Sequence, residues 1–287
     1  MDLRIVATSK CNFKCIYCTN EHLPYNEPLN CEFPKEWVNL LLKAVNTISE
    51  IKSITVTGGE PTLHSSFKQL SRILTNTNKE LVLVTNGTMI DSNYIKHYEK
   101  FDRVTISLHR FDEEGFSYIT RANGKLFQKI IEGIKLLRNN YPNKNIRINV
   151  VSDEHNSRQI PLYLRLAKEY SLEINVLHEG IPKRTKQKRL PAPLWNIEVF
   201  KGTTLDQTTN RKTYKIKSNK IFLSRTSLDN PSWNSIWISP NANVYWDVRY
   251  IESPINLKNY FELKDVNYLK NAFYSIVDLL KLRKVAN

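Results

Sequence analysis

Cys11, Cys15 and Cys18 stand in a C-x3-C-x2-C spacing directly after the apolar run Leu3–Ala7. Thiolates ligate soft metals or carry redox chemistry, and three of them cannot pair among themselves. The spacing fits neither the paired C-x2-C sets of a zinc ribbon nor a two-cysteine redox motif, so it points to iron–sulfur ligation. A [4Fe–4S] cluster has four irons, and three cysteines leave one of them without a protein ligand. That open iron is where a small molecule can bind and react. A second stretch, Thr57-Gly58-Gly59-Glu60-Pro61, also follows an apolar run. Its paired glycines read as a place where backbone approaches a ligand so closely that a side chain would block the contact.

The elements that carry these residues follow from hydrophobic patterning. Strands are predicted at Leu3–Ala7, Ser53–Thr57, Leu81–Thr85, Arg103–Ser107, Asn145–Val151 and Glu173–Leu177, with amphipathic helices between them. The clearest helix is Leu126–Asn140, where Phe127, Ile130, Ile131, Ile134 and Leu137 recur at three and four residues. Continuous apolar strands alternating with helices predict a parallel sheet covered by helices. At the carboxyl ends of successive strands stand the cysteine loop, Gly58–Pro61, Thr85-Asn86-Gly87, Ser107 with His109, Asn149, and His178-Glu179. Parallel α/β proteins bind ligands at that edge, so these six groups assemble one site.

Past Gly180 the pattern changes. Pro182, Pro191 and Pro193 flank the basic run Lys183–Arg189, and strand-like segments follow at Trp195–Lys201, Lys212–Ser224 and Ile236–Val248. A last helix is predicted over Val266–Arg283, with Leu269, Phe273, Ile276, Leu279 and Leu280 on one face. The expected division is a core over residues 1–180 and a smaller α+β cap over 181–287 that closes the substrate cavity.

Composition narrows the function. With 287 residues and 41% hydrophobic content the chain buries a large core, which excludes disordered and fibrous classes. No run of 18 or more apolar residues and no signal peptide is present, so a cytoplasmic location is expected, where reducing conditions suit the thiols. The formal charge of +14 favours anionic partners, although a lysine-rich solvated surface accounts for it equally well. Nothing has the interleaved aromatics of an RNA-binding motif.

The cysteine spacing, with Tyr17 before the last thiol, resembles the signature of the radical S-adenosylmethionine (SAM) enzymes, and Thr57–Pro61 resembles their second motif. The resemblance covers roughly residues 3 to 179 and implies a partial six-stranded (β/α)6 barrel. It implies one [4Fe–4S] cluster on Cys11, Cys15 and Cys18 whose open iron chelates SAM, reductive cleavage to a 5′-deoxyadenosyl radical, and hydrogen abstraction from a substrate. An external electron donor such as flavodoxin or ferredoxin is implied as well. Tyr17, Thr57, Gly58, Gly59, Glu60, Pro61, Asn86, Ser107 and Asn149 match positions that surround SAM in that family.

Within the family the chain is most similar to the GTP cyclase of molybdenum-cofactor synthesis. By that match Arg4 and Lys52 fall where the cyclase meets its triphosphate, and His109 stands where the cyclase pattern has Asp. His109 and His178 join them as candidate substrate contacts. The cyclase's second cluster needs three further cysteines, and only Cys31 remains; Trp246 occupies a position where a ligand is expected. Cys31 itself reads either as a hydrogen-atom donor or as an inert loop thiol. The expected substrate is a small anionic molecule, a nucleotide or nucleotide sugar. Two rivals are a peptide-modifying radical enzyme and a non-catalytic iron–sulfur regulator or RNA-binding protein.

Overall fold

A computed structural model describes residues 1–18, 30–177, 203–208, 211–216, 219–224, 235–245 and 254–285. Six parallel strands form the partial barrel: β1 (Asp2–Thr8), β2 (Ser53–Gly58), β3 (Glu80–Thr85), β4 (Arg103–Ser107), β5 (Asn145–Val151) and β6 (Glu173–Leu177). Between them run α1 (Lys35–Val45), α2 (Phe67–Ile73), α3 (Ile95–Tyr98), α4 (Glu113–Thr120), α5 (Leu126–Asn140), α6 (Glu154–Arg158) and α7 (Ile160–Glu169). Each of these six strands lies within one residue of its sequence-predicted ends. Their β-branched content suits a pleated surface buried on at least one side.

The strands are not apolar on both faces, as their reading from sequence expected. Register puts Leu3, Ile5, Ile54, Val56, Leu83, Ile106, Ile148 and Val176 on one face, where they share a single core with Leu41, Leu70, Ile134 and Tyr163 from the helices. The opposite face, lining the lumen, carries most of the strands' polar residues, with Val6, Val82 and Val84 among them. Thr55 lies beside Arg4, Thr105 beside Arg147, and Ser107 beside Asn149, which in turn lies beside Asn175. A continuous helical layer therefore covers only the outside, and the apolar and polar halves of each strand alternate as the pleat requires.

The later segments extend this sheet at both edges. β7 (Thr203–Thr208), β8 (Arg211–Ile216) and β9 (Asn219–Ser224) join through β9, which pairs parallel with β6. On the other side β10 (Ser235–Ile238) pairs parallel with β1 and turns back into β11 (Asn243–Tyr245) and β12 (Ile255–Asn256). α8 (Lys258–Glu262) and α9 (Val266–Val285) follow, and α9 packs on α1 through Leu269, Phe273, Ile276, Val277 and Leu280. Leu279, expected on that face, is 36% exposed, and Val277 takes its place. The predicted strand Trp195–Lys201 and Trp246 lie outside the described residues. Among the described residues no helix is long and apolar enough to cross a membrane.

Candidate functional site

β1 ends at Thr8, and the chain turns into the cysteine loop at the carboxyl edge of the sheet. The loop is held from both sides. Lys14 N donates to Thr120 O (2.9 Å) and Ile16 N to Ile119 O (3.0 Å), which ties its outer half to the end of α4. Phe13 packs edge-on against Phe116 beneath it.

Its inner half is stitched to the second motif. Gly59 N donates to Thr8 O and Glu60 N to Lys10 O, both at 2.7 Å. This contact revises the reason for the glycines. A Cβ on Gly59 would lie 2.2 Å from Lys10 O, and one on Gly58, whose φ is +152°, would lie 2.4 Å from Thr8 O. Glycine is thus demanded by the cysteine loop's own backbone, whatever ligand approaches later.

Glu60 continues the stitching inward. Its carboxylate is fully buried and accepts from Thr62 N, Thr62 Oγ1, Thr85 Oγ1 (2.7 Å) and Asn86 N (2.6 Å). Burial pushes its pKa up and these donors oppose the shift. Glu60 therefore clamps the loop after β3 to the turn at Pro61–Leu63.

No cation among the described residues lowers the pKa of Cys11 or Cys15. Burial, with repulsion from Glu60 and Cys18, pushes Cys11 up to about 11 despite a bond from Phe13 N; burial and the neighbouring thiols push Cys15 up to about 12. Three mutually repelling thiolates need positive charge from a metal group to remain ionised. Among the described residues no three Cys, His, Asp or Glu side chains converge as they would around one metal ion. Three thiols on one loop, near enough for their charges to repel, are a donor set of the kind that ligates iron–sulfur clusters, and by that chemistry the residues fit a [4Fe–4S] group.

The opposite wall comes from β4 and β5. Tyr17 packs edge-on against His109, ring centroids 4.8 Å apart, and its hydroxyl is buried near Cys15 with no partner at hydrogen-bonding geometry among the described residues. His109 Nδ1 accepts from Val151 N at 3.0 Å, so the neutral ring carries its proton on Nε2. Burial, helped by the adjacent Arg110 charge, holds its pKa down at about 3. Arg110, itself buried, pairs with Asp153 and donates to His109 O, locking the two loops together. Ser107 and Asn149 face the lumen on neighbouring strands, and Asn175 Nδ2 donates to Asn149 Oδ1 at 2.8 Å.

The remaining candidates divide. Arg4 lies on the lumen face but donates to Asp2 (2.8 Å) and stacks over Trp237, 4.8 Å from its ring centroid. Together with Arg103–Glu80 (2.9 Å) and Arg147–Glu173 (2.6 Å) it forms a layer of ion pairs toward the amino ends of the strands. Lys52 is a correction. It is exposed and precedes β2 at the amino edge, opposite the cysteine loop, because the residue before a parallel strand cannot reach that strand's far end. Cys31 is drawn beside Ser9, its backbone bonded to Ser9 and Thr8, with Sγ 3.6 Å from Ser9 Oγ. His178 lies outside the described residues.

Reasoning from sequence missed Asn12, Thr62, Thr88, Arg110 and Asp153 as parts of this edge. Asn12 sits inside the cysteine motif and Thr88 closes the run Thr85–Thr88, so position alone marked both.

Comparison with known proteins places this geometry. The model of the radical SAM superfamily matches residues 5–166. A probable GTP 3′,8-cyclase of Saccharolobus islandicus is 31% identical over 179 residues, which is 62% of this chain and 55% of the relative. The chain thus spans about half the length of that curated relative. Among solved structures, Streptococcus suis SuiB bound to S-adenosylmethionine is similar with a TM-score of 0.66 at 15% identity, over 93% of this chain and 65% of SuiB. SuiB bound to its precursor peptide SuiA gives 0.65 at 15% identity, over 93% and 63%.

Proposed function

The chain belongs to the radical SAM superfamily, and from that premise we propose that it is a one-cluster enzyme abstracting hydrogen from a small anionic substrate, a nucleotide or nucleotide sugar. Cys11, Cys15 and Cys18 would hold the cluster. When bound, cluster and SAM supply a reductively generated 5′-deoxyadenosyl radical. Every other task falls to side chains already described. Gly58 and Gly59 keep the second motif against the cysteine loop, and Glu60 fixes both to β3. Tyr17 and the neutral His109 wall the site with groups that carry no charge, and Ser107 and Asn149 offer hydrogen bonds from the lumen. Such a site must keep water and stray hydrogen donors out while the radical exists. In this reading an external reductant such as a flavodoxin or ferredoxin serves the site in a reducing cytosol.

The observation that carries the reading is the meeting of the three-cysteine loop with the second motif at the carboxyl edge of the sheet. The anionic substrate class is supported by the similarity to a probable GTP cyclase and by the +14 charge. Arg4 stays a candidate contact once a stronger anion competes with Asp2, while Lys52 is withdrawn. A peptide substrate is the second reading, favoured by the likeness to SuiB, which extends over 93% of this chain and includes a peptide-bound form. The deciding experiment incubates the anaerobically reconstituted protein and SAM with deuterated nucleotides, and separately with deuterated peptides. Deuterium recovered in 5′-deoxyadenosine from a nucleotide supports the first reading. Transfer from peptides alone replaces it with the second.

A further inference from the structure

The loop that carries the thiols and the helix end to which it is stitched present two exposed cations, Lys14 and Arg121. Lys14 stands between Cys11 and Cys15, and Arg121 follows α4 in a left-handed turn with φ +51°. They are neighbours, because Lys14 N donates to Thr120 O at 2.9 Å. Other cations at this edge are neutralised: Lys10 pairs with Glu32 at 2.9 Å, and buried Arg110 pairs with Asp153. Among the described residues neither Lys14 nor Arg121 has an ion pair or a side-chain hydrogen bond. Helix capping does not account for them. The carbonyls at the end of α4 are taken by backbone amides, Ser117 O by Arg121 N (2.8 Å), Ile119 O by Ile16 N and Thr120 O by Lys14 N. The acids of α4, Glu113 and Glu114, belong to its first turn, about 10 Å away along the helix. Tyr118, three residues before Arg121, is 66% exposed.

Exposed Tyr and Arg side chains are what protein interfaces favour, and uncompensated cations select an acidic partner. The place says what that partner does. A protein seated on Lys14 lies against the loop that bears the thiols, and electron transfer weakens steeply with distance. We propose that Lys14, Arg121 and Tyr118 form the docking surface for an acidic one-electron carrier protein. The carrier loses one electron and the cluster gains it, with no bond made or broken. The inference rests on the cluster ligation by Cys11, Cys15 and Cys18 proposed above.

The test uses the reconstituted full-length protein and, as probe, a flavodoxin of net negative charge. Wild type is compared with Lys14→Glu, Arg121→Glu, Arg121→Lys and Lys52→Glu. Flavodoxin affinity is measured by isothermal titration calorimetry at low and high salt. Cluster reduction is followed by absorbance after mixing with reduced flavodoxin or with photoreduced deazariboflavin, a small neutral reductant. Each charge reversal at Lys14 or Arg121 should lower flavodoxin affinity and reduction rate about tenfold, and by less at high salt, where exposed charges are screened. Arg121→Lys keeps the charge and stays within about twofold of wild type; so does Lys52→Glu, which makes the same charge change at the far edge of the sheet. Reduction by deazariboflavin is unchanged in all of them. Should Lys14→Glu fail to retain iron, Arg121→Glu decides alone. Unchanged affinity and rate in iron-replete Arg121→Glu overturn the proposal. An equal loss in Lys52→Glu overturns it too, since net charge rather than this surface would then be responsible. If the wild-type protein takes up no iron, the cluster reading fails first and this inference falls with it.

Discussion

Lowering the pH from 7 to 5 should destabilise this protein through His109. The folded structure buries the ring as a neutral acceptor for Val151 N and holds its pKa at about 3, against about 6.5 for an unfolded histidine. Between those values the unfolded chain binds a proton that the folded chain refuses. Stability from this group is therefore complete above pH 6.5 and is lost as pH falls through that window toward 3. At about 1.36 kcal/mol per pH unit, the stretch from 6.5 down to 5 costs about 2 kcal/mol. The perturbation is His109→Asn, whose side-chain oxygen can still accept from Val151 N but does not titrate. Anaerobic urea denaturation at pH 7, 6, 5.5 and 5 yields a stability curve for each protein. The variant starts lower, having lost the ring packed on Tyr17. Its curve should nevertheless be shallower than wild type by about 2 kcal/mol over the interval. His97, also buried and shifted down by burial, is present in both proteins and cancels. Parallel curves for the two proteins would refute the reasoning, because they would mean that His109 is solvated or already charged in the folded state.

Gly59→Ala should lower iron per chain after reconstitution far more than Gly133→Ala, since the first drives a methyl into the Lys10 carbonyl and the second meets the Ile90 side chain at 2.9 Å as well as its backbone at 3.1 Å. Iron analysis of both variants checks this. Alanine at Cys11, Cys15 or Cys18 should abolish a content of about four irons per chain, whereas Cys31→Ala should leave it intact, Cys31 being held beside Ser9. Glu60→Ala strands Asn86 N and two threonine hydroxyls in a fully buried site, and thermal or urea denaturation should register a loss of about 3 kcal/mol or more. Lys52→Ala should leave substrate-dependent and substrate-independent 5′-deoxyadenosine formation unchanged, because the side chain lies exposed at the far edge of the sheet; a selective fall in the coupled reaction would contradict that placement.

Some of this was legible in the chain alone, and the reason is locality. The six barrel strands lie within one residue of their predicted ends because β-branched runs and their flanking turns act over a few residues. The cysteine spacing is likewise a property of eight consecutive residues, Cys11 to Cys18, so its chemistry needs no tertiary knowledge. What depended on pairing across the chain was hidden. Which face of a strand meets the lumen follows from register, and only register turned Arg4, Thr55, Thr105 and Arg147 into a polar interior. Lys52 borders an apolar strand in sequence just as Arg4 does, yet one is exposed at the amino edge and the other pairs with Asp2 on the lumen face. The glycines of the second motif invite a ligand in sequence and meet the backbone of Thr8 and Lys10 in space. Asn86 and Asn12 are separated by 74 positions, and the triangle they close with Thr88 exists only once the fold brings the loops after β1 and β3 together. The chain by itself determined the kind of chemistry, since ligand type and spacing are written locally. The tertiary structure alone decided which side chains are free to perform it, because a donor already satisfied by a distant partner has nothing left to offer a substrate.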